Sequence, residues 1–465
     1  MSSLISHLKK IVILSATVVI ALLGVIEILS LSGSHHALAV FDAPVDSLSL
    51  PEYIITVNNT GTLSVIDART DIVYGPFLSG TLGTVESGGG IFDIVVTPDG
   101  NKALVSNFGD QKIIFVDFSN PISPSFITTV TMPMFAEDIA MSRDGRFALV
   151  TDGGFSPNVS TIDVFQMTLA YTGAFTNGMS ANAVAIGAYN TVVTADYFLG
   201  GIHALSMDAN GQLTYTHAYT YTQNLDGTIL SQTVPADAMQ AIAARPRPLN
   251  NSASPDTAQS IGAVDGPLGD GDYHLPRPVN IAISPDGQTV LVPDSTFYNS
   301  MLSNGDPALT QTLYSVGVYL ITAPGELQLT GVITNLNRAT QSIAFSPAGD
   351  KAYLSGNGGL MDPVTSSSPA AQLSVLDILG PGQVRLAADG VVDYPRFQGG
   401  QLFGVDTIAV ANGKAYLGHP TLSGITPYLR VINLSDYSVK RLSIPMSVGV
   451  ARMIKLRYLP IIYRY

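Results

Sequence analysis

One phrase recurs along this chain, and it restricts the possible folds more than any bulk property does. DIVVTPDGNKALVSN begins at Asp93, EDIAMSRDGRFALVTD at Glu137, VNIAISPDGQTVLVPD at Val279 and QSIAFSPAGDKAYLSG at Gln341. Asp406 starts a shorter copy, DTIAVANGKAYLGH, and Ala181 a degraded one, ANAVAIGAYNTVVTAD. Each copy joins two short apolar runs through a tight Pro/Gly turn, and a third run follows. In the first copy the runs are Ile94 to Thr97, Ala103 to Ser106 and Lys112 to Asp117. Pro98 presets φ and Gly100 tolerates positive φ, so the unit is an antiparallel meander. Six such units make a repeat protein, in which each unit buries its apolar surface against its neighbours.

Antiparallel four-stranded units arranged in a ring form a propeller. The expected fold class is therefore all-β, a propeller of four-stranded antiparallel blades. Six internal units and one split unit give seven blades; six or eight are the alternatives. The split blade takes three strands from Tyr53 onward and its innermost strand from about Val448 to Leu456, which ties the two ends of the ring and leaves no open edge. Composition agrees: 46% of residues are apolar, only 12% are charged and 44 are glycine, which suits many short strands rather than long surface helices.

The propeller spans residues 53–456, with an insertion at about 211–278 and a basic tail at 457–465. Ahead of it lie a segment at 1–39 and a linker at 40–52. Lys9 and Lys10 precede the apolar run Ile11 to Leu31, and Ala37-Leu38-Ala39 has the small-x-small form of a signal-peptidase site. Left uncleaved, a run of about 20 apolar residues is long enough to anchor the chain in a membrane. Both readings make the body an exported protein: periplasmic, secreted or at the cell surface. Membrane contact is expected only through this segment. The net charge of −13 argues against a nucleic-acid partner. The chain has no cysteine, so disulfides, thiol chemistry and c-type haem attachment are excluded.

The extra chain concentrates on one face. The first-to-second turns are tight (TPDG, SRDG, SPDG, SPAG) and lie on a plain face. The opposite face receives Gly153 to Ser160, Pro293 to Ser315, Gly356 to Ala371 and His419 to Pro427 between second and third strands. Between blades it receives Gly211 to Pro278 and roughly Gly380 to Gly404. Loops on a rigid scaffold are the usual site of binding residues.

The innermost strands also begin on this elaborated face, and the ring brings their first residues toward the central axis. The candidates there are Asp93, Glu137, Asp138 and Asp406 as carboxylates, with Asn182, Asn280 and Gln341 as neutral oxygen donors. Oxygen-only ligands suit calcium or magnesium, and Glu137, Asp138, Asn182 and Asn280 are the expected metal set. The competing reading is that these side chains cap strands or hold channel water. Asp265, Asp270 and Asp272 match a calcium loop only loosely, and His203, His274 and His419 stand isolated. There is no HExxH pair and no G-x-S-x-G elbow. Tyr215, Tyr219, Tyr221, Tyr273, Phe297, Tyr298 and Tyr314 supply aromatic surface expected on the rim.

The repeats KALVSNFGDQKIIFVDFSNP, RFALVTDGGFSPNVSTIDVF and EYIITVNNTGTLSVIDARTD resemble the YVTN-type beta-propeller repeat. That resemblance covers most of residues 53–450 and implies a secreted or surface-layer-associated seven-bladed propeller. The same broad group is similar to lactonases of the 6-phosphogluconolactonase type and, more distantly, to haem-d1 propellers, but neither group's site motif maps onto residues of this chain. Two functional expectations follow. One is an exported binding or scaffold module whose elaborated face takes a protein, a cell-surface polymer or a small ligand. The other is a divalent-cation-dependent, lactonase-like hydrolase with its site at the channel mouth, where calcium or magnesium polarises a carbonyl.

Overall fold

The computed structural model describes residues 51–58, 61–83, 91–175, 181–196, 201–220, 222–224, 229–231, 273–274, 278, 280–293, 314–336, 342–356, 371–394, 407–418, 428–444 and 447–454. The chain divides into units at residues 1–49 and 50–465, and the description concerns the second. The segment at 1–39, the tail at 457–465, Asp265, Asp270, Asp272 and His419 lie outside the described residues.

Seven four-stranded antiparallel sheets form the described body. Blade 2 is Ile91–Val96, Lys102–Asn107, Lys112–Asp117 and Ser125–Thr131, from the axis outward. Blades 3, 4, 5, 6 and 7 start at Ile139, Ala183, Ala282, Ser342 and Thr407. Blade 1 takes three strands, Glu52–Asn58, Thr62–Asp67 and Val73–Phe77, from one part of the chain. Its innermost strand, Ser447–Ile454, comes from the other. That strand pairs antiparallel with Glu52–Asn58, Glu52 facing Ile454, as the split-blade expectation required. The inner strands touch in sequence around the ring, and Ser447–Ile454 contacts both Thr407–Ala411 and Ile91–Val96, which closes it.

The middle strands of the blades are buried on both faces, so they read as continuous apolar runs rather than alternating ones. In blade 2, Ala103 and Val105 pack toward blade 1 while Leu104 packs toward blade 3. Seven separate apolar clusters fill the seven gaps between blades.

The repeated turn has one hydrogen-bond scheme. The Thr97 hydroxyl donates to Asp99 Oδ1 at 2.6 Å and accepts from the Lys102 amide at 3.0 Å, while the Asn101 amide donates to Asp99 Oδ1 at 3.0 Å. Ser142 and Asp144 repeat this in blade 3, and Ser284 with Asp286 in blade 5. In blade 6, where Ala348 replaces the turn aspartate, Asp350 accepts from Ser346 instead. Gly100, with φ +67, closes the turn by donating to Thr97 O at 2.8 Å.

Two boundaries expected from the sequence move. Leu213–Tyr219 is the outer strand of blade 4, so the insertion begins near Thr220 rather than Gly211. Part of it, Thr222–Asn224, Ile229–Ser231 and Tyr273–His274, forms a small sheet. Much of the stretch from Gly380 to Gly404 is likewise strand, not loop. A Pro381-Gly382 turn leads into Gln383–Tyr394, the outer strand of blade 6. In both places polar residues alternate on an exposed outer strand, which resembles loop composition when read alone.

Candidate functional site

Successive blades place an aspartate at the same point. Asp93 lies within blade 2's inner strand, Ile91–Val96, and its Oδ2 accepts the Ile139 amide of blade 3 at 3.3 Å. Asp138 Oδ2 accepts the Val184 amide of blade 4 at 2.6 Å. Each carboxylate therefore pins its own blade to the next. A second repeated tie lies beside it. The Ser106 hydroxyl donates to Glu137 O at 2.7 Å, and the Thr151 hydroxyl donates to Asn182 O at 3.3 Å. The strand-capping reading thus holds for Asp93 and Asp138, and it fixes their positions at the mouth.

The two aspartate carboxyls lie close enough to influence each other. Burial pushes both upward; the Asp138 charge pushes Asp93 further, so Asp93 is the member that keeps the proton. Glu137 joins them. Its carboxyl rests against the Gly153 backbone, leaving no room for a Cβ there. Burial, then the charges of Asp138 and Asp152, push Glu137 up to about 8. Asp152 is 2% exposed. Its Oδ2 accepts the Ser156 hydroxyl, but Oδ1 is buried without a hydrogen-bond partner. Burial raises this carboxyl too, against the lowering effect of Ser156. Asn182 donates from Nδ2 to Gly153 O at 3.1 Å, which holds the Gly153 loop over Glu137.

Of the sequence candidates, the structure brings together Asp93, Glu137, Asp138 and Asn182. Asn280 stands half-buried at the start of blade 5. Gln341 and Asp406 lie outside the described residues. Among the described residues no three His, Asp or Glu side chains converge as metal ligands.

Sequence reasoning missed Asp152 and an aromatic cluster. Phe108 and Phe135 stack with centroids 4.4 Å apart, and Phe155 tilts against them at 5.6 and 5.7 Å. Phe155 is 54% exposed. Phe135 lies two residues before Glu137, and Phe155 two after Gly153, so the cluster adjoins the carboxyls directly. The available signal was a phenylalanine in each of three short connections on the same face. Two of the expected rim tyrosines belong elsewhere. Tyr215 OH meets His203 Nδ1 at 3.3 Å, and Tyr219 OH accepts the Leu327 amide at 3.1 Å, both on the outer strand of blade 4. Tyr221, Phe297 and Tyr298 fall outside the described residues, as do the side chains of Tyr273 and Tyr314. His203 is not isolated: it is buried in a strand, with Nε2 3.1 Å from Asp196 Oδ2.

No family model matches the chain, and no curated protein matches it in sequence. Solved structures do. A functionally unknown protein from Desulfotomaculum acetoxidans aligns with a TM-score of 0.58 at 15% identity, covering 86% of this chain and 99% of that one. The periplasmic gluconolactonase of Pseudomonas aeruginosa aligns with a TM-score of 0.54 at 11% identity, covering 87% and 99%. A putative 6-phosphogluconolactonase from Bacteroides fragilis gives 0.53 at 10% identity, covering 88% and 99%. The chain shares the seven-bladed propeller fold of the lactonase-type proteins. At these identities the likeness is one of fold, and the chemistry has to be argued from the mouth itself.

Proposed function

We propose that the channel mouth is the active site of a lactonase-like hydrolase, which adds water across a cyclic ester and releases the hydroxy acid. The observation that carries this reading is the group of neighbouring carboxyls, Asp93, Glu137, Asp138 and Asp152, whose burial raises each of them. Glu137, at about 8, exchanges its proton near neutral pH, while Asp93 holds one against Asp138. Groups poised in this way suit general acid–base catalysis. Ionised Glu137 takes a proton from the attacking water. The Asp93–Asp138 pair donates a hydrogen bond, then its proton, to the departing ring oxygen. Water exchange then restores the pair. The pins to Ile139 and Val184 hold that pair in place through the cycle.

Calcium or magnesium belongs to the same proposal. Asp152 Oδ1 is a buried carboxylate oxygen lacking a hydrogen-bond partner, the kind of atom a hard cation satisfies. An ion held at Asp152 would polarise the ester carbonyl, although among the described residues no three acidic or histidine side chains converge around it and nothing brings Asn280 to it. The exported location read from the N-terminus and the YVTN-like phrasing of the repeats support activity outside the cytoplasm. The loops gathered on the same face favour a second reading, a module that binds a protein or cell-surface polymer.

The test is lactone hydrolysis by protein purified without chelator, followed by pH-stat. Turnover lost in Glu137→Gln, with the melting temperature retained, supports the hydrolase. A well-folded protein with no turnover on any lactone overturns it in favour of the binding module.

A further inference from the structure

The plain face has short turns, yet several of them end in large apolar side chains. Ile72, Ile122 and Phe165 stand in the turns between the third and fourth strands of blades 1, 2 and 3. Leu379 stands where blade 6 enters the same turn, and Tyr189 in the first-to-second turn of blade 4. Their exposure runs from 45% at Ile122 to 64% at Phe165. One such side chain is ordinary on a protein surface. Five on the same side of one ring call for a cause, because tight turns are normally built from Gly, Pro, Asn, Asp and Ser. Tyr189 also holds a left-handed backbone, φ 57, which costs a bulky residue energy and which glycine or asparagine would adopt more easily.

These tips belong to five different blades, so they are spread around the ring rather than gathered in one groove. A peptide or a single helix reaches one or two of them, whereas a flat surface reaches all. The chain itself brings such a surface near. It joins the ring at Glu52, the plain-face end of its strand. About 20 residues upstream ends the apolar run Ile11 to Leu31, which is long enough to span a bilayer. A flexible connection of that length reaches roughly 25 Å. A tether this short holds the face beside the lipid at an effective concentration on the order of millimolar. Contacts too weak to recruit a free protein then suffice to seat a tethered one. The turn residues Asp99, Asp144 and Asp286 are exposed nearer the axis of the same face. The contact is therefore interfacial, apolar tips among hydrated charges, and an uncharged lipid surface suits it better than an anionic one.

We infer that the plain face docks on a lipid bilayer, with Ile72, Ile122, Phe165, Tyr189 and Leu379 in the headgroup layer and the N-terminal apolar run retained as the tether. Membrane contact then extends beyond the N-terminal segment to the ring. The mouth, with Glu137, faces away from the lipid. This docking does not depend on whether the mouth hydrolyses a lactone or binds a polymer.

The chain has no cysteine, so single labels are clean. The experiment reconstitutes the full chain in phosphatidylcholine vesicles and labels one of four variants at a time with a polarity-sensitive fluorophore. Ile72→Cys, Phe165→Cys and Leu379→Cys report on the plain face, and Phe155→Cys on the opposite one. All four positions are exposed, so the labelled proteins should fold. Blue-shifted, severalfold brighter emission is expected at the three plain-face positions, quenched by lipid spin-labelled at its headgroup, with the Phe155 label unshifted. Adding Ile122→Ser and Tyr189→Ser is expected to return the plain-face labels toward the emission seen in water, while the chain stays on the vesicles through its tether. Plain-face labels that report water on vesicle-bound protein overturn the inference, as does a shift at Phe155 alone or one that the serine variant leaves unchanged. A shift that appears without vesicles and grows with protein concentration assigns the face to a second copy of the chain and also overturns it. So does release of the ring from the vesicles by loss of the N-terminal run, with no binding to fresh phosphatidylcholine vesicles.

Discussion

Glu137 ties the chemistry of the mouth to the stability of the protein. Its carboxyl is held at about 8 in the folded state, whereas an unfolded glutamate titrates near 4.3. Between those values the folded chain holds a proton that the unfolded chain has lost, so unfolding becomes easier as pH rises from about 4.3 to about 8. The loss is expected to be on the order of 1–3 kcal/mol across that window. Urea titrations at successive pH values should show it, and Glu137→Gln should flatten the slope. A wild-type stability that climbs through this window would contradict the assignment. Gly153 offers a second test. At φ +72, a Cβ added there overlaps the Glu137 carboxyl, whereas one added at Gly80, φ +76, meets nothing within 4 Å. Both alanines carry the backbone strain, of about 1 kcal/mol. Only Gly153→Ala should also depress turnover, by tenfold or more, in side-by-side assays. Asp93, Glu137 and Asp138 were legible in the sequence because each repeat marks the start of its inner strand. Asp152 was not. It stands where other repeats carry Asn58, Asn107 and Asp196, at the end of the second strand, a position whose ordinary duty is to cap a loop.

At the level of strands and turns, the seam between blades 7 and 1 differs from the other junctions. Asp71, φ +58, accepts from Lys414 Nζ at 2.8 Å, from Tyr416 OH at 2.7 Å and from Lys440. The Asn412 amide donates to Glu52 Oε2 at 2.6 Å, and its side chain to Ala68 O at 3.0 Å. Burial would raise Asp71, but the hydrogen bonds from Lys414, Lys440 and Tyr416 outweigh it and hold the carboxyl low. A lowered folded value means the contribution is present above pH 4 and fades as pH falls through the folded value. Asp71→Asn is expected to cost about 2 kcal/mol at neutral pH and much less near pH 3, measured by urea denaturation. Turn chemistry of the S/T-P-D-G kind was fully readable, since each residue in it has a distinct local reason to be there. The outer strands Leu213–Tyr219 and Gln383–Tyr394 were harder. They pair on one edge only and bury little, so the apolar signal that betrays inner strands is weak in them.

For the molecule as a whole, ring closure depends on one late strand. Ending the chain before Ser447 removes the innermost strand of blade 1 and exposes the edge of Glu52–Asn58, a strand whose middle is fully buried. Unpaired edges of that kind recruit other chains. The truncated protein is expected to elute as soluble aggregates in size-exclusion chromatography and to be cut rapidly by protease within residues 52–77, where the intact ring resists. Monomeric, protease-resistant protein would show that the other blades close without it. The blade count was legible because the repeated phrase is local and recurs in every internal blade, even where insertions lengthen the spacing between copies. The arrangement at the mouth was only half legible: ring symmetry says which residues approach the axis, whereas the contact of Glu137 with Gly153 depends on the path of a single loop.

The pairing of Glu52 with Ile454 puts the point where the chain joins the ring beside the point where it leaves, on the face away from Glu137. A tether attached at Glu52 or Ile454 would therefore leave from the face opposite Glu137. The same proximity makes the order of blades in the gene arbitrary. Joining Glu52 and Ile454 directly with a short flexible linker and opening new ends at Pro324-Gly325 should give a permuted ring with the same seven blades.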